Sequence, residues 1–471
     1  MALIAGVDSS TQSTKVEVRE LTSGELVASA SATHTATTPP RSEQDPLCWW
    51  NAFHAAWDDA GDPEVAAISV AGQQHCMVTL DSQRQVVRPA KLWNDTESAP
   101  DAGWLLKQLP GGAADWAASC GSVPVAAFTV SKLSWLHRSE PENWERMAHV
   151  VLPHDWMTYQ LTGNLVTDRG DASGTGYWSA ASGEYCWDLL AIIDKDRDWS
   201  DVVPRVLGPT DAAGTWKGAV VAAGTGDNMA AALGLGLQPG DIVMSFGTSG
   251  TVYACASLPT ADASGAVAGF ADAAGGYLPL VCTLNATKVT DAVGRLLGVD
   301  HATFDALALC APFGSAGVTL LPYLDGERTP NRPKSSGLLS GLRSDVTREQ
   351  LARATVEGVV CGLLDGLDAL RVHVADVRRV IMVGGGARSA AYRQTLANLC
   401  DLEVLVADAD QAVSAGACVQ AAATLEQTSA AEIARRWNLG GGQLIERSCD
   451  VGDDQITEIR SRYAALRSLE E

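Results

Sequence analysis

Residues 3–31 read LIAGVDSSTQSTKVEVRELTSGELVASAS. The stretch from Leu3 to Val7 is apolar and ends in Asp8 and Ser9, the pattern of a buried strand with polar residues at its tip. The residues after Ser9 decide between two kinds of α/β sheet. A Rossmann unit places a helix after its first strand. Here Val16 and Val18 alternate with polar residues and Thr22-Ser23-Gly24 supplies a turn, which predicts an antiparallel hairpin and hence a mixed sheet.

Beyond this hairpin, short apolar runs ending in glycine or polar residues recur: AAISVAGQQ (66–74), VVLPHDW (150–156), AVVAAGTGD (219–227), DIVMSFGTSG (241–250), VTLLPYLDG (318–326) and RVIMVGGGA (379–387). Strands that deliver polar residues at their ends belong to α/β sheets, where ligands collect. Helices are clearest later in the chain. Thr347 and Gln350 have capping-box spacing before an apolar face that includes Leu351, Ala354, Val359, Leu363, Leu367 and Leu370. A second helix is expected from about Ser389, and AVSAGACVQAAA (412–423) predicts a small-residue helix suited to close packing. Glycines and Pro239 in LGLGLQPGD (233–241) mark a domain boundary, placed within about ten residues. The expected domains are 1–238 and 239–425, followed by a polar helical tail, 426–471.

The 471 residues suffice for two or three domains with sizeable cores. A net charge of −22 repels phosphate backbones and anionic lipid, which argues against nucleic-acid and membrane partners. An anionic ligand then needs a local device: backbone amides, a lysine or a metal ion. Eleven cysteines without a C-x-x-C pair suit a reducing cytoplasm, and neither a leader-like N-terminus nor a membrane-length apolar run is present.

Two strand ends are rich in small hydroxyl residues. Asp8 is followed by Ser9, Ser10, Thr11, Ser13, Thr14 and Lys15, and the later strand by Gly247, Thr248, Ser249, Gly250 and Thr251. Such turns offer amides and hydroxyls to phosphate oxygens, and Asp8 could hold Mg²⁺; each could equally be an ordinary turn. The triple glycine Gly384-Gly385-Gly386 before Ala387 matches neither a Walker loop nor G-x-G-x-x-G, so an actin-like adenosine turn stays open. Gln73, Gln74 and His75, with Trp93, Asn94 and Asp95, offer donors and acceptors for a polyhydroxylated ligand, although His75 could also be a core histidine. Asp227, alone among small residues in AGTGDNMAAALG (223–234), is either a turn residue or a reactive carboxylate held where something approaches closely.

GLLSGLRSDVTREQLARATVE (337–357) resembles the second signature of the FGGY carbohydrate kinases. FTVSKLSWL (128–136) resembles the first, with Thr129, Lys132, Leu133, Trp135 and Leu136 in place and Ala127 and Ser139 fitting less well. The resemblance continues through SEQDPLCWW, LWND, LPHDWMTYQLTG, TDRGDASGTG, GDN, FGTSGT, LPYLDGERTP and GGGARS, in order over residues 3–425. Within the family it is nearest to the kinases of D-xylulose; a glycerol kinase would carry Arg-Glu where this chain has Gln74-His75. One departure is Glu97, where many relatives carry arginine.

The resemblance implies an α/β fold of two actin-like (ribonuclease H-like) ATPase domains closing over a central cleft, the sugar held by the first and ATP by the second. It implies ATP-dependent conversion of D-xylulose to D-xylulose 5-phosphate, with Asp227 as base and Asp8 at Mg²⁺. Gln74, His75, Asn228 and Trp93 would contact sugar. Ser10, Thr11, Thr14, Lys15, Gly247, Thr248 and Ser249 would serve the phosphates, and Gly385, Gly386 and Ala387 the adenosine. Relatives are often homodimers. Two other readings stay open: a family kinase for ribulose, gluconate or a polyol, and a non-catalytic nucleotide-gated binding protein on the same fold.

Overall fold

The computed structural model describes residues 2–408 and 411–469. The chain divides into two compact units, Met1–Leu237 with Ser257–Leu278 and Ala409–Gly441, and Gln238–Ala256 with Pro279–Asp408 and Gly442–Glu471. These units differ from the expected stretches in two places: residues 257–278 fall with the first unit, and the stretch 426–471 is divided between both. Composition marks a flexible linker; it carries no information about which sheet a returning segment covers.

In chain order, the strands used below are β1 (Leu3–Ser9), β2 (Ser13–Glu20), β3 (Leu26–Thr33), β4 (Ala67–Gly72), β5 (Ala212–Trp216), β6 (Ala219–Ala222) and β7 (Thr225–Gly226). They continue with β8 (Asp241–Phe246), β9 (Gly250–Ala254), β10 (Tyr277–Thr283), β11 (Arg379–Val383), β12 (Glu403–Ala407) and β13 (Gly442–Ile445). The helices are α1 (Thr129–Ser139), α2 (Pro153–Thr162), α3 (Arg169–Ala172), α4 (Asp227–Gly234), α5 (Thr287–Leu297), α6 (Arg348–Arg371), α7 (Ala390–Leu399) and α8 (Ala412–Glu426).

The first unit is built on a mixed sheet in the order β5-β6-β4-β1-β2-β3, with β7 also pairing β4. β1 runs antiparallel to β2 and parallel to β4, so the hairpin predicted after the first strand is present, with Asp8 opposite Lys15. The second unit repeats this arrangement. Its strands follow β10-β9-β8-β11-β12-β13, with β8 antiparallel to β9 and parallel to β11. The likeness between the ends of β1 and β8 thus reflects equivalent places in two sheets of one topology.

On one face of the first sheet, Val7, Val16, Val18, Ile68 and Val70 pack with Trp49, Phe53, Trp57 and Trp156. Each such side chain, fully buried, is worth about 1.5–3 kcal/mol. On the other face lies α8, buried nearly all round, as its alanine-rich sequence requires. It crosses α4 backbone to backbone: a Cβ on Gly416 would stand 1.7 Å from the Ala230 carbonyl oxygen, and one on Gly234 would stand 1.9 Å from that of Ala412. Only glycine allows this approach. In the second unit α6 starts at the expected capping box, with Thr347 and Gln350 bonded reciprocally. All eleven cysteines are unbridged, and no helix among the described residues is long and apolar enough to cross a membrane.

Candidate active site

In the first unit, three strand ends bring chemistry together. β1 delivers Asp8, β4 leads into Gln73-Gln74-His75, and the short β7 hands the chain to α4, whose first residue is Asp227. A carboxylate in the first helical turn is favoured by the unpaired N–H groups there. Asp227 Oδ1 accepts from the Asn228 main-chain N–H (2.7 Å) and from Asn228 Nδ2 (2.9 Å). The same amide donates to Gln74 Oε1 at 2.7 Å, which ties the β4 end to the start of α4. Both amide hydrogens being engaged, Asn228 offers a ligand its Oδ1 as acceptor.

Burial pushes the Asp227 carboxyl up to about 6 against the opposing Asn228 donors. Burial and the neighbouring Asp227 charge push Asp8 up to about 7, opposed by Lys15. Of the two acids, Asp227 gives up its proton first as pH rises and Asp8 holds its own to about neutrality. Oδ1 of Asp8 is buried and has no hydrogen-bond partner among the described residues.

His75 stands at the end of β4 in a left-handed conformation, φ 62°. Its carbonyl accepts from Thr129 Oγ1 and from Lys132 Nζ, both at 3.2 Å, and its N–H donates to Asp171 Oδ1 at 3.3 Å. The ring packs against Phe128 and Phe270, which also touch each other. α3 is fixed in turn by Asp168, which accepts from the N–H groups of Gly170 and Asp171 and from Thr225 Oγ1 on β7. The base-bearing and histidine-bearing segments thus share one support.

Other expected ligands are placed differently. Ser10 bonds back to the Ser13 carbonyl, forming the turn. Thr11 donates to Gln73 Oε1 at 3.1 Å and accepts from the half-exposed Trp93 indole at 2.9 Å. Thr14 is a correction: it is completely buried, its hydroxyl shared with Ser9 and His34, and it props the turn from inside instead of facing a ligand. Lys15 bonds Gln411. Glu97 sits on cations, accepting from the fully buried Lys91 (2.6 Å) and from Arg41 (3.3 Å). Lys91 also meets Asp95 at 2.9 Å and Glu43 at 3.3 Å, so one buried ammonium is shared among three carboxylates, with Arg41 adding a second cation at Glu97.

In the second unit, Gly247, Thr248 and Ser249 form the tight loop between β8 and β9. The Gly247 carbonyl accepts from the N–H and hydroxyl of Thr287, each at 2.9 Å, and the Thr248 carbonyl accepts from the start of α5. With its carbonyls engaged, the loop's N–H groups and hydroxyls are what it can offer an anion. Nearby, Gly385 and Gly386 line a cavity of about 590 Å³ with Thr287, Phe304, Asp305 and Tyr392 among its walls. That volume suits a small-molecule ligand. Ala387 lies beneath this surface rather than on it, its carbonyl held by Arg393. The cavity walls come from ordinary helical positions, and no local pattern in the sequence singles them out.

Family models for the N-terminal and C-terminal domains of the FGGY family of carbohydrate kinases match residues 3–234 and 242–425. The chain is 48% identical over 456 residues to the xylulose kinase of Streptomyces coelicolor, covering 94% of this chain and 92% of that one. It is 33% identical over 441 residues to the xylulose kinase of Haemophilus influenzae, covering 88% and 89%. Among solved structures, xylulose kinase from Bifidobacterium adolescentis superposes with a TM-score of 0.86 at 39% identity, covering 99% of each chain.

Proposed function

The chain belongs to the FGGY family of carbohydrate kinases, and on that basis we propose that it transfers the γ-phosphoryl group of ATP to D-xylulose, giving D-xylulose 5-phosphate. The observation that carries the mechanism is Asp227 at the head of α4, within one hydrogen-bonded set with Asn228 and Gln74. The sugar hydroxyl attacks phosphorus through a loose transition state, which calls chiefly for alignment and charge neutralisation. Asp227 orients that hydroxyl and takes its proton as the new P–O bond forms. Gln74, His75 and Asn228 recognise other hydroxyls, and a sugar lacking one leaves a buried partner unmatched.

ATP is assigned to the second unit, its phosphates on Gly247-Thr248-Ser249 and its adenosine in the cavity at Gly385 and Gly386. Asp8 fits a hard cation, because its buried Oδ1 lacks a partner among the described residues and magnesium prefers such oxygens alongside phosphate. When bound, Mg²⁺ neutralises phosphate charge that the protein's own −22 would repel. The eleven unbridged thiols favour a reducing cytoplasm as the compartment.

The test is release of ADP with Mg·ATP and, separately, D-xylulose, D-ribulose, L-ribulose, gluconate, glycerol or no sugar. Preferential turnover of D-xylulose is expected. Turnover of another sugar alone would retain Asp227 as base and reassign the pocket, whereas turnover with none of them would return the nucleotide-gated binder.

A pH series separates activity from stability. The base works ionised, so kcat/KM for the sugar should rise through about pH 6 as Asp227 loses its proton; a flat profile from pH 5 to 8 would contradict the assignment. Stability runs the other way. Both acids are raised above the ordinary 3.8, so their contribution to folding is full below that value and is lost as pH rises through about 6 and 7. Asp8→Asn should accordingly raise the melting temperature at pH 8 and leave it nearly unchanged at pH 4.

The nucleotide assignment has its own check. A Cβ on Gly385 meets no atom within 4 Å, so a bulky side chain is tolerated there by the fold. Gly385→Phe should fill part of the cavity and raise the ATP KM about tenfold or more while the sugar KM holds, since shape mismatch in a pocket acts on its own ligand. Equal rises in both constants would move ATP elsewhere.

A further inference from the structure

Resting on the reading of His75 as a sugar ligand, the geometry points to Asp171 and Gly174 as positioning residues that set both where the His75 imidazole stands and which of its nitrogens meets the ketose. Neither residue belongs to the set of expected ligands. They lie three apart, on α3 and in the turn after it, and together they form the seat of the ring.

Gly174 provides the space. A Cβ there would fall 2.0 Å from His75 Cε1 and 2.1 Å from Nδ1, well inside contact distance, so the imidazole occupies the volume that any other residue would fill. Phe128 and Phe270 pack against the ring at centroid distances of 5.2 and 5.1 Å and against each other at 5.9 Å, closing one side of it. Asp171 provides the orientation. Its Oδ1 accepts the His75 main-chain N–H at 3.3 Å and stands 3.6 Å from Nδ1, a small ring rotation from a hydrogen bond. Already accepting one N–H, Oδ1 faces the ring as an acceptor too when the carboxyl is ionised or carries its proton on the otherwise unpartnered Oδ2. This favours the proton on Nδ1 and makes Nε2 an acceptor for a ketose hydroxyl. Lys132 completes the seat from the opposite side, holding the His75 carbonyl, so that the peptide of a residue in left-handed backbone is fixed at both its polar ends.

The role is positional, and three variants separate it from mere space filling. Asp171→Leu keeps the volume without an acceptor, Asp171→Asn keeps an acceptor oxygen at Oδ1, and Gly174→Ala leaves Asp171 intact while evicting the ring. For Asp171→Leu and Gly174→Ala the sugar KM is expected to rise about tenfold or more with the ATP KM within about twofold, as for loss of a buried polar partner. Asp171→Asn should stay within about threefold of the parent for both substrates, because the acceptor rather than the charge is required. Long-range ¹H–¹⁵N spectra of the imidazoles, with the His75 signal identified by its loss in His75→Ala, should show the Nδ1-protonated tautomer in the parent and in Asp171→Asn, and its loss in Asp171→Leu.

If His75→Ala raises the sugar KM but Gly174→Ala does not, or if Leu and Asn at 171 behave alike, the positioning role is overturned and the ligand reading stands. An unchanged sugar KM in His75→Ala overturns the ligand reading, and the inference with it. Should Asp171→Leu fail to fold, Gly174→Ala and the tautomer of the parent protein still decide.

Discussion

Asp227→Asn is expected to bind ATP and sugar, to fold normally, and to lose about 10²–10⁴-fold in kcat, the range associated with removal of a general base. The substitution is nearly isosteric. Asn at 227 can still accept from the Asn228 N–H through Oδ1, so the head of α4 need not move. What disappears is the group that takes the hydroxyl proton. The carboxyl is raised to about 6 by burial, so the neutral amide also removes a charge the site resists. The variant should therefore be at least as stable as the parent at pH 8. Single-turnover phosphoryl transfer, with sugar and nucleotide binding measured independently, checks this; turnover within a few-fold of the parent would remove Asp227 from the mechanism.

Gly416→Val is expected to damage both stability and turnover, although Gly416 touches no expected ligand. Its Cβ would stand 1.7 Å from the Ala230 carbonyl oxygen and 2.9 Å from the Gly234 nitrogen, and those atoms are backbone, so no side chain can swing away. α4 and α8 must separate instead. Overpacking of this kind costs about 1–3 kcal/mol, occasionally more, and each kcal/mol lowers the melting temperature of a unit of this size by roughly 2–4 °C. Because α4 begins with Asp227, the displacement also reaches the base, and kcat should fall together with the melting temperature. Gly103→Ala is the matched control. Its Cβ meets nothing within 4 Å in a helix, so it should be neutral or slightly stabilising. A Gly416→Val protein that melts and turns over like the parent would mean that the crossing tolerates far more slack than its geometry allows.

These two cases show where the sequence is legible. The alternation at Val16 and Val18 after β1 reports a hairpin because period two is a local property of the chain, and the capping box at Thr347 and Gln350 reports a helix start for the same reason. The small-residue character of 412–423 likewise announces close packing. Which helix it packs against, and in which unit, depends on contacts between positions nearly two hundred residues apart. The candidate site divides in the same way. Asp8, Gln74, His75, Asp227 and Asn228 stand at strand or helix ends in small-residue surroundings, where a polar group has an evident purpose. Thr14 looks identical in kind to Ser10 and Thr11, yet strand alternation turns its side chain inward to Ser9 and His34. Asp171, Gly174 and Phe270 are invisible as a group in the sequence because the chemistry they share exists only where two distant segments meet around the ring of a third.

The return of α8 to the first sheet bears on how the protein is made. β1 lies at the start of the chain, and the helix that covers one of its faces is more than four hundred residues later. A ribosome releasing this chain in order would extrude nearly all of both units before residues 412–426 emerge to cover that face. During most of synthesis the nascent first sheet must therefore wait with apolar surface uncovered, the condition under which chaperones bind and aggregation begins. A gene truncated at the apparent linker near residue 238 would make that delay permanent.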